Sequence, residues 1–182
     1  MAAKTVSLSL RNILSDAAAL LFVLFVPALS HLTAVLFYLI DPMRVAALGV
    51  LLVTRDWKNS LVLAALLPLV SLAVSGHPVF PKCLLIAVEL ATNVLLFEGL
   101  LRLLGKHYAK RPGVVSGASA FVSILLSKGV YYLLKWMVIS FGWMNMELVS
   151  TGLWIQLVVA VAISLIFAFT YRTEKAQMMA DS

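Results

Sequence analysis

Charge is scarce in this chain. It holds 14 Lys and Arg and 8 Asp and Glu, 12% of 182 residues, against 63% hydrophobic ones. Ordinary soluble chains are about a quarter charged and about half apolar, and the mean hydropathy of +1.04 lies far on the apolar side. Composition therefore excludes an ordinary water-soluble domain. Cysteine is nearly missing as well. The single Cys83 has no partner for an internal disulfide and carries no information about redox compartment. The usual catalytic signatures are also missing. There is no G-x-x-x-x-G-K-[ST], so the chain does not itself bind ATP through a P-loop. There is no H-E-x-x-H, no cysteine pair and no G-x-S-x-G. Ser127 and Lys128 are adjacent, and neighbours on a helix do not face each other, so they form no Ser–Lys dyad. Neither enzymatic activity nor a cofactor or metal is expected. The net charge of +6 would suit nucleic acid in a soluble protein; in a membrane chain the placement of the cations is what matters, and no nucleic-acid partner is expected.

What the chain does have is long apolar runs. Six can be marked, at about Ala17–Ile40, Val45–Val53, Ser60–Ser75, Lys82–Leu104, Val114–Phe141 and Thr151–Tyr171. The first is too long for a signal-peptide core and reads as a retained span. A full span needs about 20 residues, so the second and third are short. Arg55, Asp56, Trp57 and Lys58 between them exclude one continuous helix through the membrane centre. The expectation is an all-α integral membrane protein, one transmembrane domain of six helices in a cytoplasmic (inner) membrane. With the N-terminus inside, Lys4, Arg11, Arg55, Lys58 and Arg102 fall on the cytoplasmic side, as do Lys106, Lys110, Arg111, Arg172 and Lys175. Only Arg44 and Lys82 fall outside, with Lys128 and Lys135 inside the fifth span. That asymmetry orients the bundle with both termini cytoplasmic. Small residues recur at fourfold spacing, as in Gly113/Gly117, Ser119/Ser123/Ser127 and Ala160/Ser164/Ala168. Such tracks let helix backbones approach closely in lipid.

The stretch that organises the chain is GHPVFPKCLLIAVELATNVLLFEGLLR, from Gly76 to Arg102. His77, Pro78 and Pro81 make a loop, and an apolar run follows that carries Glu89 and Asn93. Their i, i+4 spacing puts both on one helix face. A carboxylate at the bilayer centre costs roughly 2.5 kcal/mol or more, so Glu89 needs a partner, a wet cavity or a proton. Lys128 in the fifth span is the obvious partner, and an anionic ligand group is the alternative. Lys135, nearer the end of that span, reads as a snorkelling lysine. Tyr131 and Tyr132 beside Lys128, and Trp154 and Gln156 in the sixth span, add aromatic and polar groups. Trp154 and Gln156 are two apart on a helix, so at most one faces any given pocket. Trp143 reads as a membrane-belt residue. His77 is placed in a lid over the pocket. A ligand site is thus expected in the outer half of the bilayer. It lies between the fourth, fifth and sixth helices and is built from Glu89, Asn93, Lys128, Tyr131, Tyr132, Trp154, Gln156 and His77.

Two runs carry a family resemblance: FVPALSHLTAVLFYLIDPMRVAALGVLL, and SLVLAALLPLVSLAVSGHPVFPKCLLIAVELATN. The features are Pro27 and His31 in the first helix, Pro42 after it, and the A-x-L-x-P-L-V-S run from Ala64 to Ser71. Gly76 and Pro78 then lead into the helix of Lys82. Over roughly residues 23–101 the chain resembles the S components of energy-coupling-factor (ECF) vitamin transporters. The resemblance implies a substrate-binding subunit that captures a vitamin or similar micronutrient from outside. It also implies partners in the membrane, a transmembrane T protein driven by ATPase subunits. The first helix lacks the A-x-x-x-A pair with which many members dock that T protein. The competing expectation is a non-transporting scaffold of cell-envelope assembly; the buried Glu89, Asn93 and Lys128 favour a binding subunit over it.

Overall fold

The computed structural model describes residues 10–33, 37–76, 78–143 and 152–180, with side chains outside 27–33, 37–38, 109 and 173–180. The described chain is all helical. It contains α1 (Leu10–Thr33), a 3₁₀ turn (Phe37–Ile40), α2 (Pro42–Thr54) and α3 (Trp57–Ser75). These are followed by α4 (Phe80–Leu103), α5 (Gly105–Lys110), α6 (Pro112–Ser140) and α7 (Leu153–Ala180). Four of these, α3, α4, α6 and the Leu153–Arg172 part of α7, are long and apolar enough to cross a membrane. The protein is a multi-pass helical membrane protein.

Two sequence expectations change. Seven helices are present among the described residues instead of six, because the loop after α4 folds into α5. The third helix is not short. It begins at Trp57, where the Asp56 carboxylate caps it by accepting from the Lys58 and Asn59 amides at 3.0 and 3.2 Å. The polar residues assigned to a loop are thus its first turn, and the helix reaches 19 residues. The second helix does stay short, at 13 residues.

Long helices alternate in direction, so the bundle has two ends. At one end lie the starts of α1, α3 and α6 and the finishes of α2, α4 and α7. There Asn12 Nδ2 donates to Asp56 Oδ2 at 3.3 Å, and Asn59 Nδ2 to Asp16 Oδ1 at 2.8 Å. Arg11 Nη2 reaches the Thr54 carbonyl at 2.6 Å. The Arg55 guanidinium lies 3.6 Å from the Tyr171 ring centroid, and Phe97 packs edge-on against Phe167 at 5.0 Å. These contacts tie α1, the α2–α3 turn, α4 and α7 together. The opposite end, formed by the starts of α2, α4 and α7, holds the cavity described below.

Between the ends α6 and α7 pack backbone to backbone. A Cβ on Gly113 would meet the Ala168 carbonyl oxygen at 2.5 Å, and one on Gly117 the Ala168 Cβ at 2.9 Å. The glycine track and the Ala160/Ser164/Ala168 track therefore face each other within this chain. Small residues let two helices approach in lipid, where dispersion contacts supply much of the attraction.

α2 is held by a left-handed residue at each end. Asp41 before it has φ 55° and Arg55 after it φ 58°. Positive φ is uncommon outside glycine and costs on the order of 1–3 kcal/mol. Each turn places a charged side chain, Asp41 in the cavity and Arg55 over Tyr171.

Candidate functional site

A cavity of about 510 Å³ opens between α1, α2, α3, α4, α6 and α7. Among the described residues, five charged side chains line it: Asp41, Arg44, Lys82, Glu89 and Lys128. Four of them close a ring. Lys128 Nζ sits 2.9 Å from Glu89 Oε1 and 3.0 Å from Asp41 Oδ2. Arg44 pairs with the same two carboxylates, through Nη2 to Glu89 and through Nε to Asp41 at 3.2 Å. Each cation thus touches both anions. Arg44 and Glu89 are 1% and 3% exposed, a depth at which an unpaired charge would cost several kcal/mol. The ring answers the demand for a partner that Glu89 makes in the sequence, and it uses two cations where one was expected.

Helix geometry explains the ring. Glu89 lies midway along α4, and Lys128 projects from α6 toward it. The truncated start of α2 brings in Asp41 and Arg44, three apart and so neighbours on the first turn. Asp41 Oδ2 lies within ion-pair distance of both Arg44 Nε and Lys128 Nζ.

The walls are mixed. Tyr131 and Tyr132 stand edge to face at 5.5 Å, and the Tyr132 hydroxyl accepts from Gln156 Nε2 at 2.7 Å. This links α6 to α7 across one side. Ser71 and Ser75 come from the end of α3, while Val23, Ile86, Ile124 and Val159 supply apolar surface. Pro78, Val79 and Lys82 line the cavity at the start of α4.

The structure brings Glu89, Lys128, Tyr131, Tyr132 and Gln156 together in the cavity and places two other sequence candidates elsewhere. Asn93, one turn beyond Glu89, does not line the cavity. It is 1% exposed, and its Nδ2 lies 3.4 and 3.3 Å from the hydroxyls of Ser123 and Ser127, so it serves as a polar clamp between α4 and α6 beneath the floor. Trp154 is 79% exposed because the two-residue offset from Gln156 turns it to the outer face of α7. His77 lies outside the described residues. Lys135 departs from its snorkelling assignment: it is 1% exposed, with Nζ 5.8 Å from the Tyr131 ring centroid. Trp143 is exposed, as a belt residue would be.

Asp41, Arg44 and Lys82 are the lining charges that sequence reading missed. All three lie within two residues of a proline near segment ends, so they read as loop residues. A signal existed for the first two: Asp41 and Arg44 bracket Pro42, a favoured first helical residue, which makes them first-turn neighbours instead of loop charges.

The fold and cavity define a class, a helical multi-pass membrane protein with an internal charged pocket at one end. No protein-family model matches the chain, and no similar protein is found among characterised proteins or solved structures.

Proposed function

We propose that this protein is a membrane-embedded solute-binding subunit that captures a small micronutrient of vitamin type for uptake. In this reading it has no catalytic step of its own and depends on an ATP-driven module, with a transmembrane T protein and ATPases as partners. One observation carries the proposal: a cavity of about 510 Å³ that combines aromatic, polar and charged groups at one end of the bundle. Compact ligand sites are concave, largely apolar and fitted with a few placed polar groups.

The charge distribution supports an orientation. Both cations counted as external, Arg44 and Lys82, line the cavity. Arg55, Lys58, Arg102 and Arg172 stand toward the other end, on the turns and helix ends described above. By the positive-inside rule that end faces the cytoplasm, and the cavity then opens outward. The full proposal is six membrane-crossing helices, α1–α4, α6 and α7, with both termini in the cytoplasm of an inner membrane. Single cysteines introduced at Ser75 and Lys106 test it: Ser75 should label from outside in intact cells and Lys106 only after lysis. Labelling of Lys106 in intact cells would refute the orientation.

The binding reading is tested by thermal unfolding of the detergent-purified chain against a panel of water-soluble vitamins. A ligand at a hundredfold its Kd should stabilise by about 2.7 kcal/mol. A static scaffold of the cell envelope is the second reading, and one observation favours it: the four ring charges already satisfy one another. A panel without a single stabilising compound would select the scaffold.

A further inference from the structure

Resting on the solute-binding reading, the lining charges narrow the ligand further. Arg44, Lys82 and Lys128 give three positive charges, and Asp41 and Glu89 give two negative ones. The ring consumes two of each, because Lys128 and Arg44 each pair with both carboxylates. Lys82 is left over. Among the described residues no carboxylate pairs with it, and no other carboxylate lines the cavity. Lys82 stands seven residues before Glu89 on α4, two turns along the same face and about 10 Å nearer the bundle end.

We infer that the cavity selects an organic monoanion, a monocarboxylate whose remaining body is uncharged and able to form hydrogen bonds. Its carboxylate lies against Lys82 near Pro78 and Val79, and its body extends inward for about 10 Å along α4. That body meets the Tyr131 and Tyr132 rings and the Gln156 amide. At the floor the four ring charges already pair with one another, so the inner end of the ligand there is a neutral group. A second anionic group at the floor would meet Asp41 and Glu89, and a cationic one would displace Lys128 or Arg44 from an existing pair. Opposite charges attract strongly where water is sparse, and like charges repel equally strongly. Net cavity charge, not shape alone, therefore sets the class.

The test uses the full chain in detergent micelles and matched probes that differ at one group. These are biotin and its primary amide, pantothenate and the corresponding alcohol, and nicotinate and nicotinamide, with thiamine as a cation. Affinities come from thermal shift and isothermal calorimetry. At least one acid should bind at least about tenfold tighter than its neutral counterpart, a difference equivalent to about 1.4 kcal/mol. Lys82→Gln should bring that acid down to the affinity of its neutral counterpart and leave the neutral compound within about twofold, whereas Lys82→Arg should keep the preference. A neutral or cationic probe that binds as tightly as the best acid overturns the monoanion assignment and leaves solute binding standing. An acid preference that survives Lys82→Gln overturns the role of Lys82. Failure of all seven probes to bind removes the solute-binding reading, and this inference with it.

Discussion

The two ends of the bundle solve the problem of polar groups in a membrane in opposite ways. At the Tyr171 end, polar side chains from α1, the α2–α3 turn and α7 bond to one another across short distances, as Asn59 does to Asp16 and Arg55 to the Tyr171 ring. Aromatic rings fill the space beneath them. At the cavity end, charges of both signs are just as tightly paired, but the pairs surround a void. At one end the polar groups knit helices together; at the other they line a cavity of mixed charge. Polarity in an apolar chain is thus no sign of function by itself. The combination of buried charge with unfilled volume is what separates a candidate site from a structural knot.

That contrast can be broken most forcefully at Glu89. Glu89→Ala leaves Arg44 and Lys128 facing only Asp41, and removal of one partner from a buried ion network costs about 3–5 kcal/mol. Thermal unfolding in detergent should register a larger loss here than at Gly117, Arg55 or Trp154. The simultaneous change Arg44→Met with Glu89→Leu should recover most of the lost stability, since apolar replacement of a whole buried pair is often neutral. A single Glu89→Ala change that costs less than about 1 kcal/mol would show the ring to be as wet as a surface pair.

The packed seam offers the next effect. Gly117→Val drives side-chain atoms into the Ala168 methyl and the Ser164 carbonyl, and overpacking of this kind costs about 1–3 kcal/mol. The unfolding temperature should fall accordingly, while ligand affinity at the cavity holds within about twofold. A large loss of affinity with little loss of stability would mean that α6 and α7 move as part of binding.

At the Tyr171 end, Arg55→Gln removes the cation over the ring. About 1 kcal/mol of stability should disappear, in keeping with cation–π pairs that are partly desolvated, and the solute affinity should not change. The smallest effect belongs to Trp154. Exposed on the outer face of α7, Trp154→Ala should change stability by no more than about 0.5 kcal/mol and binding by less than twofold. Loss of binding on that substitution would return Trp154 to the pocket.

Sequence alone carried the all-helical membrane class and several of the residues that line the cavity, for a simple reason. Ionisable groups in long apolar runs are rare, and Glu89 and Lys128 stand out against their neighbours; their 2.9 Å contact follows from two helices that must bury them together. The aromatic wall was legible through helical spacing from Lys128. Arg44 and Lys82 were hidden because a cation near a segment end counts as an orientation signal, and the same residue can instead close an internal ring. Helix boundaries were obscured where polar first turns resemble loops, as at Trp57–Ser60, and the short α5 left no apolar signature at all. Lys135 was misjudged because nearness to a helix end says nothing about whether a lysine faces lipid or the Tyr131 ring.

The brevity of α2 has a geometric consequence. At 13 residues and a 1.5 Å rise, it runs for about 20 Å, some 10 Å less than the hydrocarbon thickness of about 30 Å. Two missing turns of a cylinder about 10 Å across correspond to a volume on the order of 800 Å³. The cavity, at about 510 Å³, is of that size, with Leu39 and neighbouring side chains reclaiming part of the space. The size of the cavity thus matches the turns by which α2 falls short of a full span. Neighbouring helices need not splay to admit a guest, and the depth of the chamber is set by where Asp41 and Pro42 start the helix. An insertion of seven residues between Pro42 and Val45 would grow a plug into the chamber from its own floor.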